Sequence, residues 1–167
     1  MVKKALIVYY SWSGNTRAVA KLIQEMLGCD LVELQPEEPY PNSYEATVEQ
    51  AKREIRTGHK PTLRTKIEHI ELYDVIFVGS PNWWGTIAPP VMSFLKQYDL
   101  SGKIVIPFCT HGGGGKQRVI ETIKNMCPNS KVLKEFVTYG GRNKDLKEKI
   151  SIWLSEVEKQ VQGLKHQ

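Results

Sequence analysis

Short runs of apolar, β-branched residues alternate along this chain with segments whose apolar positions recur at helical spacing. Five such runs predict strands, at Lys4–Tyr10, Asp30–Leu34, Val75–Gly79, Lys103–Cys109 and Val132–Tyr139. The third and fourth runs are almost continuously apolar, which is typical of strands that are covered on both faces in a parallel sheet.

Helical spacing is clearest in the segments that follow the strands. After the first strand, the apolar positions are Val19, Leu22, Ile23, Met26 and Leu27. After the third and fourth strands they are Val91, Phe94, Leu95 and Tyr98, then Val119, Ile120, Ile123 and Cys127. The last stripe comprises Leu146, Ile150, Trp153, Leu154, Val157 and Val161. Each stripe predicts a helix that buries one face.

Capping signals mark two helix starts. A further helix is predicted over Ser43–Thr57, where Asn42 and Glu45 have the spacing of a capping box, with Asn in place of the usual Ser or Thr. Asn143 is a candidate N-cap of the last helix. Two Pro-containing loops are predicted on either side of the second helix, at Gln35–Pro41 and Gly58–Lys66.

Repeated alternation of strand and helix predicts a doubly wound, three-layer α/β domain with a parallel sheet. The 167 residues of the chain suit one domain, since domains have about 100–200 residues. No internal repeat or domain boundary is evident. We therefore expect one domain over residues 1–167, frayed at residues 162–167.

Composition and cysteine usage exclude several classes of protein. The chain is 41% hydrophobic and 25% charged, as in ordinary globular proteins. No apolar run approaches the roughly 18–20 residues that cross a bilayer, and the run Ala5–Tyr10 lacks a cleavage-like site after it, so neither a membrane partner nor a signal peptide is predicted. The chain has three cysteines, Cys29, Cys109 and Cys127. Their number is odd and their spacing is not that of metal ligands, which predicts free thiols in a reducing cytoplasm and no metal site.

The net charge of +5 is unevenly distributed along the chain. Residues 1–99 carry 11 basic and 12 acidic groups, whereas residues 100–167 carry 12 basic and 6 acidic groups. The basic residues are scattered among acidic ones and no aromatic–basic motif accompanies them. We therefore expect a solvated surface and no nucleic-acid partner.

The loop that leaves the first strand is unusually rich in hydrogen-bonding groups. In open parallel sheets, ligands bind outside the carboxyl ends of the strands, so loops in this position are informative. The polar or flexible positions are Ser11, Ser13, Gly14, Asn15 and Thr16. They precede a predicted helix, where unpaired N–H groups and the helix dipole favour an anion. Helix capping needs only one such residue, so this loop predicts a phosphate site.

Two adjacent tryptophans, Trp83 and Trp84, follow the third strand within a short polar loop, Gly79–Thr86. Neighbouring large rings in such a loop predict an aromatic wall for a planar ligand. The alternative is that both rings pack against the following helix start at Pro89 and Pro90.

The loop after the fourth strand, Thr110–Gly115, contains four consecutive glycines after His111. Glycine lets a backbone approach a ligand closely and direct its N–H groups at a polar edge. Because position 110 is Thr and Gln117 follows Lys116, the loop is neither a nucleotide P-loop nor a dinucleotide fingerprint. We expect it to be a ligand-binding loop.

Together these loops resemble the FMN site of the flavodoxin family. The string Ser11-x-Ser13-Gly14-Asn15-Thr16 resembles the family's phosphate signature, and the Trp84-Gly85 and Thr110–Gly115 loops resemble its two flavin-ring loops. The resemblance covers essentially the whole chain and is to the short-chain type, since no long insertion divides the fifth strand. It implies a five-stranded parallel sheet in the order 2-1-3-4-5, helices on both faces, and FMN as cofactor.

The resemblance also implies roles for individual residues. The FMN phosphate would be bound by Ser11, Ser13, Asn15 and Thr16, with the N–H groups of Trp12 and Gly14. Trp84 would stack on the isoalloxazine, the Gly85 backbone would lie near flavin N5, and Thr110 would bond the pyrimidine edge with the glycines after it. The remaining cofactor-binding candidates are Pro81, Asn82, Trp83, His111, Gly112, Gly113 and Gly114. No catalytic residue is assigned.

Two functions remain open at this point. The phosphate motif favours an electron carrier that serves redox partner proteins. Two departures from the flavodoxin pattern favour an FMN-dependent NAD(P)H:quinone or flavin reductase. His111 stands where many flavodoxins have a second aromatic residue, and no carboxylate occurs between Asp74 and Asp99. A phosphoacceptor receiver domain and a low-molecular-weight phosphatase are excluded, since the first strand ends without an acidic residue and no cysteine is followed six positions later by Arg. The oligomeric state is not predicted.

Overall fold

The apolar runs of the sequence become strands of one sheet in the computed structural model, which describes residues 4–141 and 143–164. The strands are β1 (Ala5–Tyr9), β2 (Asp30–Glu33), β3 (Val75–Trp83), β4 (Thr86–Ile87), β5 (Ile104–His111), β6 (Lys131–Val132) and β7 (Phe136–Tyr139). The helices are α1 (Asn15–Leu27), α2 (Tyr44–Thr57), α3 (Pro89–Gln97), α4 (Val119–Met126) and α5 (Leu146–Leu164), with a short 3-10 helix at Ile70–Leu72.

The sheet runs β2-β1-β3-β5, and β6 and β7 both pair with β5 at its far edge. All of these pairings are parallel, whereas β4 pairs antiparallel with the end of β3. Counting β6 and β7 as one interrupted strand, the expected order 2-1-3-4-5 is confirmed.

The predicted fifth strand, Val132–Tyr139, is interrupted because Lys134 bonds to α5 instead of to β5. Its backbone N–H donates to the side-chain oxygen of Gln160 (3.1 Å), and its carbonyl accepts from the Trp153 indole N–H (2.8 Å). These bonds satisfy the backbone of Lys134 outside the sheet.

The third and fourth strands extend beyond their predicted ends. β3 and β5 pair with each other as far as Pro81 opposite Thr110. β3 then continues to Trp83 because it pairs with β4, and β5 continues to His111 because it pairs with β7. The predicted loop Gly79–Thr86 is therefore mostly strand, and a two-residue turn at Trp84 and Gly85 connects β3 to β4. The apolar pattern ends earlier because the strand ends approach a polar cavity.

Two apolar clusters cover the sheet, one on each face, as the continuous apolar strands predicted. In β1, Leu6 and Val8 belong to the cluster that includes α3 and α4, and Ile7 and Tyr9 to the cluster that includes α1 and α5. This alternation is the two-residue period of a strand that is buried on both faces. No helix within residues 4–141 and 143–164 has the length and apolarity needed to span a bilayer.

The two predicted N-caps are wrong. Ser43, directly before α2, accepts a hydrogen bond from the Ala46 N–H (3.3 Å) and caps that helix in place of Asn42. Asn143 instead donates through its amide to the Thr138 hydroxyl (3.2 Å) and to the Tyr139 carbonyl (3.0 Å). Its side chain therefore holds the end of β7.

At the carboxyl terminus, α5 continues through residues 162–164, which were expected to fray. The remaining residues of that prediction, 165–167, lie outside the described part of the chain.

The three thiols are free, as predicted: Cys109 and Cys127 are buried and Cys29 is half-buried. Burial raises the pKa of the Cys109 thiol to about 12 and that of Cys127 to about 11. Both are therefore protonated near neutral pH and are poor nucleophiles.

Replacing Gly79 by alanine is expected to destabilise the fold. A Cβ at this position would lie 2.2 Å from ring atoms of Phe108, which is fully buried. Relieving such overpacking costs about 1–3 kcal/mol, so urea titration should show a free energy of unfolding lower by that amount. The control is Gly163→Ala in α5, where a Cβ meets open space. Equal midpoints for the two variants would contradict this account of Gly79.

Candidate functional site

A cavity of about 740 Å³ opens at the carboxyl edge of the sheet. Most of the residues predicted for the site line it: Trp12, Ser13, Asn15, Thr16, Pro81, Asn82, Trp83, Trp84, Gly85, Thr110, His111, Gly112 and Gly114. Three predicted residues lie outside this lining, namely Ser11, Gly14 and Gly113. The loops that the sequence singled out therefore meet at one place.

The loop after β1 folds into a tight turn that leads into α1. The buried Ser11 hydroxyl accepts a hydrogen bond from the Gly14 N–H (3.1 Å), and Gly14 adopts a left-handed conformation with φ of 100°. Ser11 thus shapes the turn, which explains its absence from the cavity wall. Because no side chain caps α1, the N–H groups of its first turn can donate to an anion.

Thr16 connects this loop to the one after β5. Its hydroxyl lies 2.8 Å from the hydroxyl of Thr110, and the two residues are 1% and 3% exposed. A hydroxyl can donate one hydrogen bond and also accept others. Thr16 therefore fixes the separation of the two loops, whatever else it contacts in the cavity.

Trp83 is anchored in the interior next to the cavity. Its ring makes edge-to-face contacts with Tyr10 (centroids 5.5 Å apart) and Tyr40 (5.1 Å). Tyr40 in turn donates to a Glu54 carboxylate oxygen (2.5 Å). Burial, followed by the nearby carboxylates, raises the pKa of both tyrosines above the usual range, so both phenols keep their protons.

Trp84 is held differently, at the turn between β3 and β4. It is 48% exposed and has a positive φ of 54°, followed by Gly85 at 85°. A bulky residue in this region is strained. Contacts with α2 offset the strain, since the indole N–H donates to the Val48 carbonyl (3.0 Å) and the Lys52 ammonium lies 5.2 Å from the ring centroid. Only this tryptophan combines exposure with a position in the cavity wall.

One wall of the cavity comes from α2, which sequence reasoning did not assign to the site. The additional lining residues are Tyr44, Thr47, Val48 and Ala51 of α2, and Gln117. Gln117 follows the four glycines of residues 112–115, which we call the glycine loop. The Pro41 carbonyl joins α2 to the first loop, since it accepts from the Trp12 indole (3.1 Å) and from the Thr47 hydroxyl (2.8 Å). Apolar spacing predicted this helix but carries no information about where it packs.

The glycine loop is ordered by His111. The ring Nδ1 accepts from the Gly113 N–H (3.0 Å), and the ring packs edge-to-face on Tyr139 at 5.7 Å. Gly112, Gly113 and Gly114 are exposed. The loop therefore adds backbone groups and an imidazole to the cavity but no large ring.

The cavity lining combines aromatic and aliphatic side chains with hydroxyl and amide groups, and carries no acidic or basic side chain other than His111 among the described residues. A charge network lies next to the loop after β1, where Arg17 makes two hydrogen bonds to the Glu33 carboxylate (2.7 and 2.8 Å). Burial acts to raise the pKa of Glu33, but hydrogen bonds from Arg17, Tyr9 and Gln35 lower it overall. This network fastens α1 to β2 and places no net charge in the cavity.

Comparisons with known proteins agree with this arrangement. The model of the flavodoxin family matches residues 4–157. A flavoprotein from Lactobacillus acidophilus NCFM, crystallised in complex with FMN, is 29% identical, with a TM-score of 0.68 over 83% of this chain and 94% of that chain. A protein from Bacteroides eggerthii DSM 20697 is 27% identical, with a TM-score of 0.81 over 94% of this chain and 99% of that chain.

Flavodoxin 2 from Bacillus cereus is 21% identical, with a TM-score of 0.61 over 93% of this chain and 99% of that chain. At this identity the likeness concerns the fold alone. A comparison with curated proteins gives no match.

The two tryptophans should differ in their effect on folding. We expect Trp83→Ala to lower the free energy of unfolding by about 2–4 kcal/mol, because it empties a site between two tyrosines. Trp84→Ala should change it by less than about 1 kcal/mol, since about half of the residue is exposed and alanine keeps the Cβ that makes the positive φ unfavourable, so the backbone strain is unchanged. Urea titrations of both variants without added ligand test this ranking, and a larger loss for Trp84→Ala would contradict it.

Proposed function

This chain belongs to the flavodoxin family, and from that premise we propose that it is an FMN-binding redox protein that acts as an electron carrier. When bound, FMN supplies reversible electron uptake and release. The protein's own contribution is to bind and orient the group and to keep the uncharged cavity partly closed to water. The observation that carries the proposal is the meeting of three neutral, donor-rich loops in a single cavity.

The residues of the cavity fit FMN in chemical terms. The uncapped start of α1, with Ser13, Asn15 and Thr16 beside it, offers neutral donors and a favourable dipole to a phosphate. Trp84 offers an exposed aromatic face, and the glycine loop offers backbone groups for a polar ring edge. The FMN complex of the Lactobacillus acidophilus relative supports the same cofactor here.

The carrier role rests on the motif and on the family. A carrier passes electrons to protein partners and transforms no substrate, so it needs no acid, base or nucleophile in the cavity. The free thiols support a reducing, cytoplasmic setting.

A second candidate is an NAD(P)H:quinone or flavin reductase on the same fold. The observation that favours it is the absence of any carboxylate from the lining within the described residues. Nearby negative charge opposes the uptake of a second electron, and an uncharged wall does not. Two-electron exchange with a small molecule is therefore less hindered here than beside an acidic rim.

The phosphate loop is tested by replacing both Ser13 and Thr16 with alanine. Each lost hydrogen bond to a charged group costs about 1.5–3 kcal/mol, so FMN affinity should fall at least about tenfold. Riboflavin lacks the phosphate, and its weaker affinity should be much less affected. Fluorescence titration of both flavins measures this, with Ser151→Ala on the exposed side of α5 as the control. Equal losses for FMN and riboflavin would mean that the loop does not bind phosphate.

The proposed role is tested on the purified protein itself. We expect a flavin absorption spectrum and release of FMN by acid. A carrier loaded with FMN should not oxidise NADPH in the presence of a quinone unless a separate reductase is added. Rapid NADPH oxidation by the protein alone would favour the reductase, and a protein that binds no flavin would overturn both candidates.

A further inference from the structure

Asn82 lies between the two loops that the proposed function assigns to the flavin ring, and its carboxamide bonds to both. The Gly85 N–H donates to the Asn82 Oδ1 (2.9 Å), and the Asn82 Nδ2 donates to the Gly115 carbonyl (2.8 Å). The same Nδ2 lies 3.3 Å from the Gln117 Oε1. From this geometry we infer that Asn82 is a positioning residue that holds the β3–β4 turn at a fixed distance from the glycine loop.

The two backbone partners explain why asparagine suits this position. A backbone N–H can only donate and a carbonyl can only accept, so the side chain between Gly85 and Gly115 must supply one acceptor and one donor. A carboxamide supplies both. An ionised carboxylate keeps the bond to Gly85 but directs a second acceptor at the Gly115 carbonyl, and an apolar side chain leaves both groups unpaired.

The turn is held from its other side as well. The Gly85 carbonyl accepts from the Arg118 N–H (2.8 Å) at the start of α4. Asn82 thus bonds the Trp84–Gly85 peptide and Arg118 the Gly85–Thr86 peptide, so neither peptide can rotate without losing a hydrogen bond. A Cβ on Gly85 would also lie 2.9 Å from the Gln117 Oε1, which leaves little room for movement.

This attachment bears directly on Trp84. Trp84, whose positive φ is strained, has two anchored neighbours in the chain. Trp83 packs among tyrosines, and the Gly85 N–H donates to Asn82. Strain of this kind persists only where the surroundings over-determine the backbone. Asn82 therefore acts on a bound ring indirectly, by fixing the orientation of Trp84 and the distance to the glycine loop. The inference rests on the proposed function only for the identity of that ring.

The first experiment needs no cofactor. Amide hydrogen exchange in the full chain without FMN should show slow exchange at Gly85, and Asn82→Leu should accelerate it at least about tenfold while residues in the centre of β3 keep their protection. Asn125→Leu, at an exposed position of α4, is the control. Rapid exchange at Gly85 in the wild type, or no change in Asn82→Leu, would overturn the inference.

The second experiment uses Asn82→Asp and added FMN. At neutral pH we expect affinity to fall at least about tenfold and the visible flavin spectrum to shift. Protonation restores a donor toward Gly115, so affinity should recover as the pH falls toward 4, which a merely structural loss would not do. Wild type and Asn125→Asp control for the other titratable and charged side chains around the turn, which are His111, Tyr44, Lys52, Lys116 and Arg118.

The outcomes of the two experiments separate the hypotheses. If wild type binds no FMN while the exchange result holds, the proposed function fails and the positioning role of Asn82 stands. If wild type binds FMN but Asn82→Asp matches it in affinity and spectrum at every pH, the inference about the flavin loops fails and the proposed function stands.

Discussion

Tyr9, Gly79 and Phe108 lie side by side in β1, β3 and β5, and the position of every loop at the site depends on this register. The pairing requires glycine in β3, because the ring of Phe108 occupies the space that a Cβ would need. Since parallel strands end at the same edge, the three loops after them open into one cavity. Residues as distant in sequence as Ser13 and Gly112 meet there for that reason alone.

Within the described residues, the cavity offers polar groups but no carboxylate, lysine or arginine, and this property follows from where those charges lie. Arg17 and Glu33 bond to each other next to the loop after β1, and Lys52 lies over the ring of Trp84 at the rim. Beside its apolar rings the lining is left with hydroxyls, amides and backbone groups, which cost less to desolvate than ions do. Such groups can bind a ligand that brings its own negative charge without repelling it.

The spacing of apolar residues predicted the strands and helices, and the composition of the connecting segments predicted the three loops of the site. Both features could be read from the sequence because they depend only on residues that are neighbours in the chain. It did not predict the α2 wall, which depends on the Pro41 carbonyl accepting hydrogen bonds from Trp12 and Thr47. The break in the last strand likewise depends on Trp153, a distant residue that periodicity identifies only as apolar. The sequence placed Asn82 in the site, but its two partners became visible only once the loops were in place.

The hydrogen bonds around the cavity form a closed ring that joins its walls. The five links are Thr16 to Thr110, Asn82 to Gly115, Trp84 to Val48, Thr47 to Pro41, and Trp12 to Pro41. They connect the start of α1 to the end of β5, the glycine loop to the end of β3, the β3–β4 turn to α2, and α2, through the Pro41 carbonyl, back to the loop after β1. Because each wall is held by two neighbours, no wall can move without changing a contact of the next. The shape of the cavity is therefore a property of the whole ring, which explains how loops of glycine and small polar residues form a defined site.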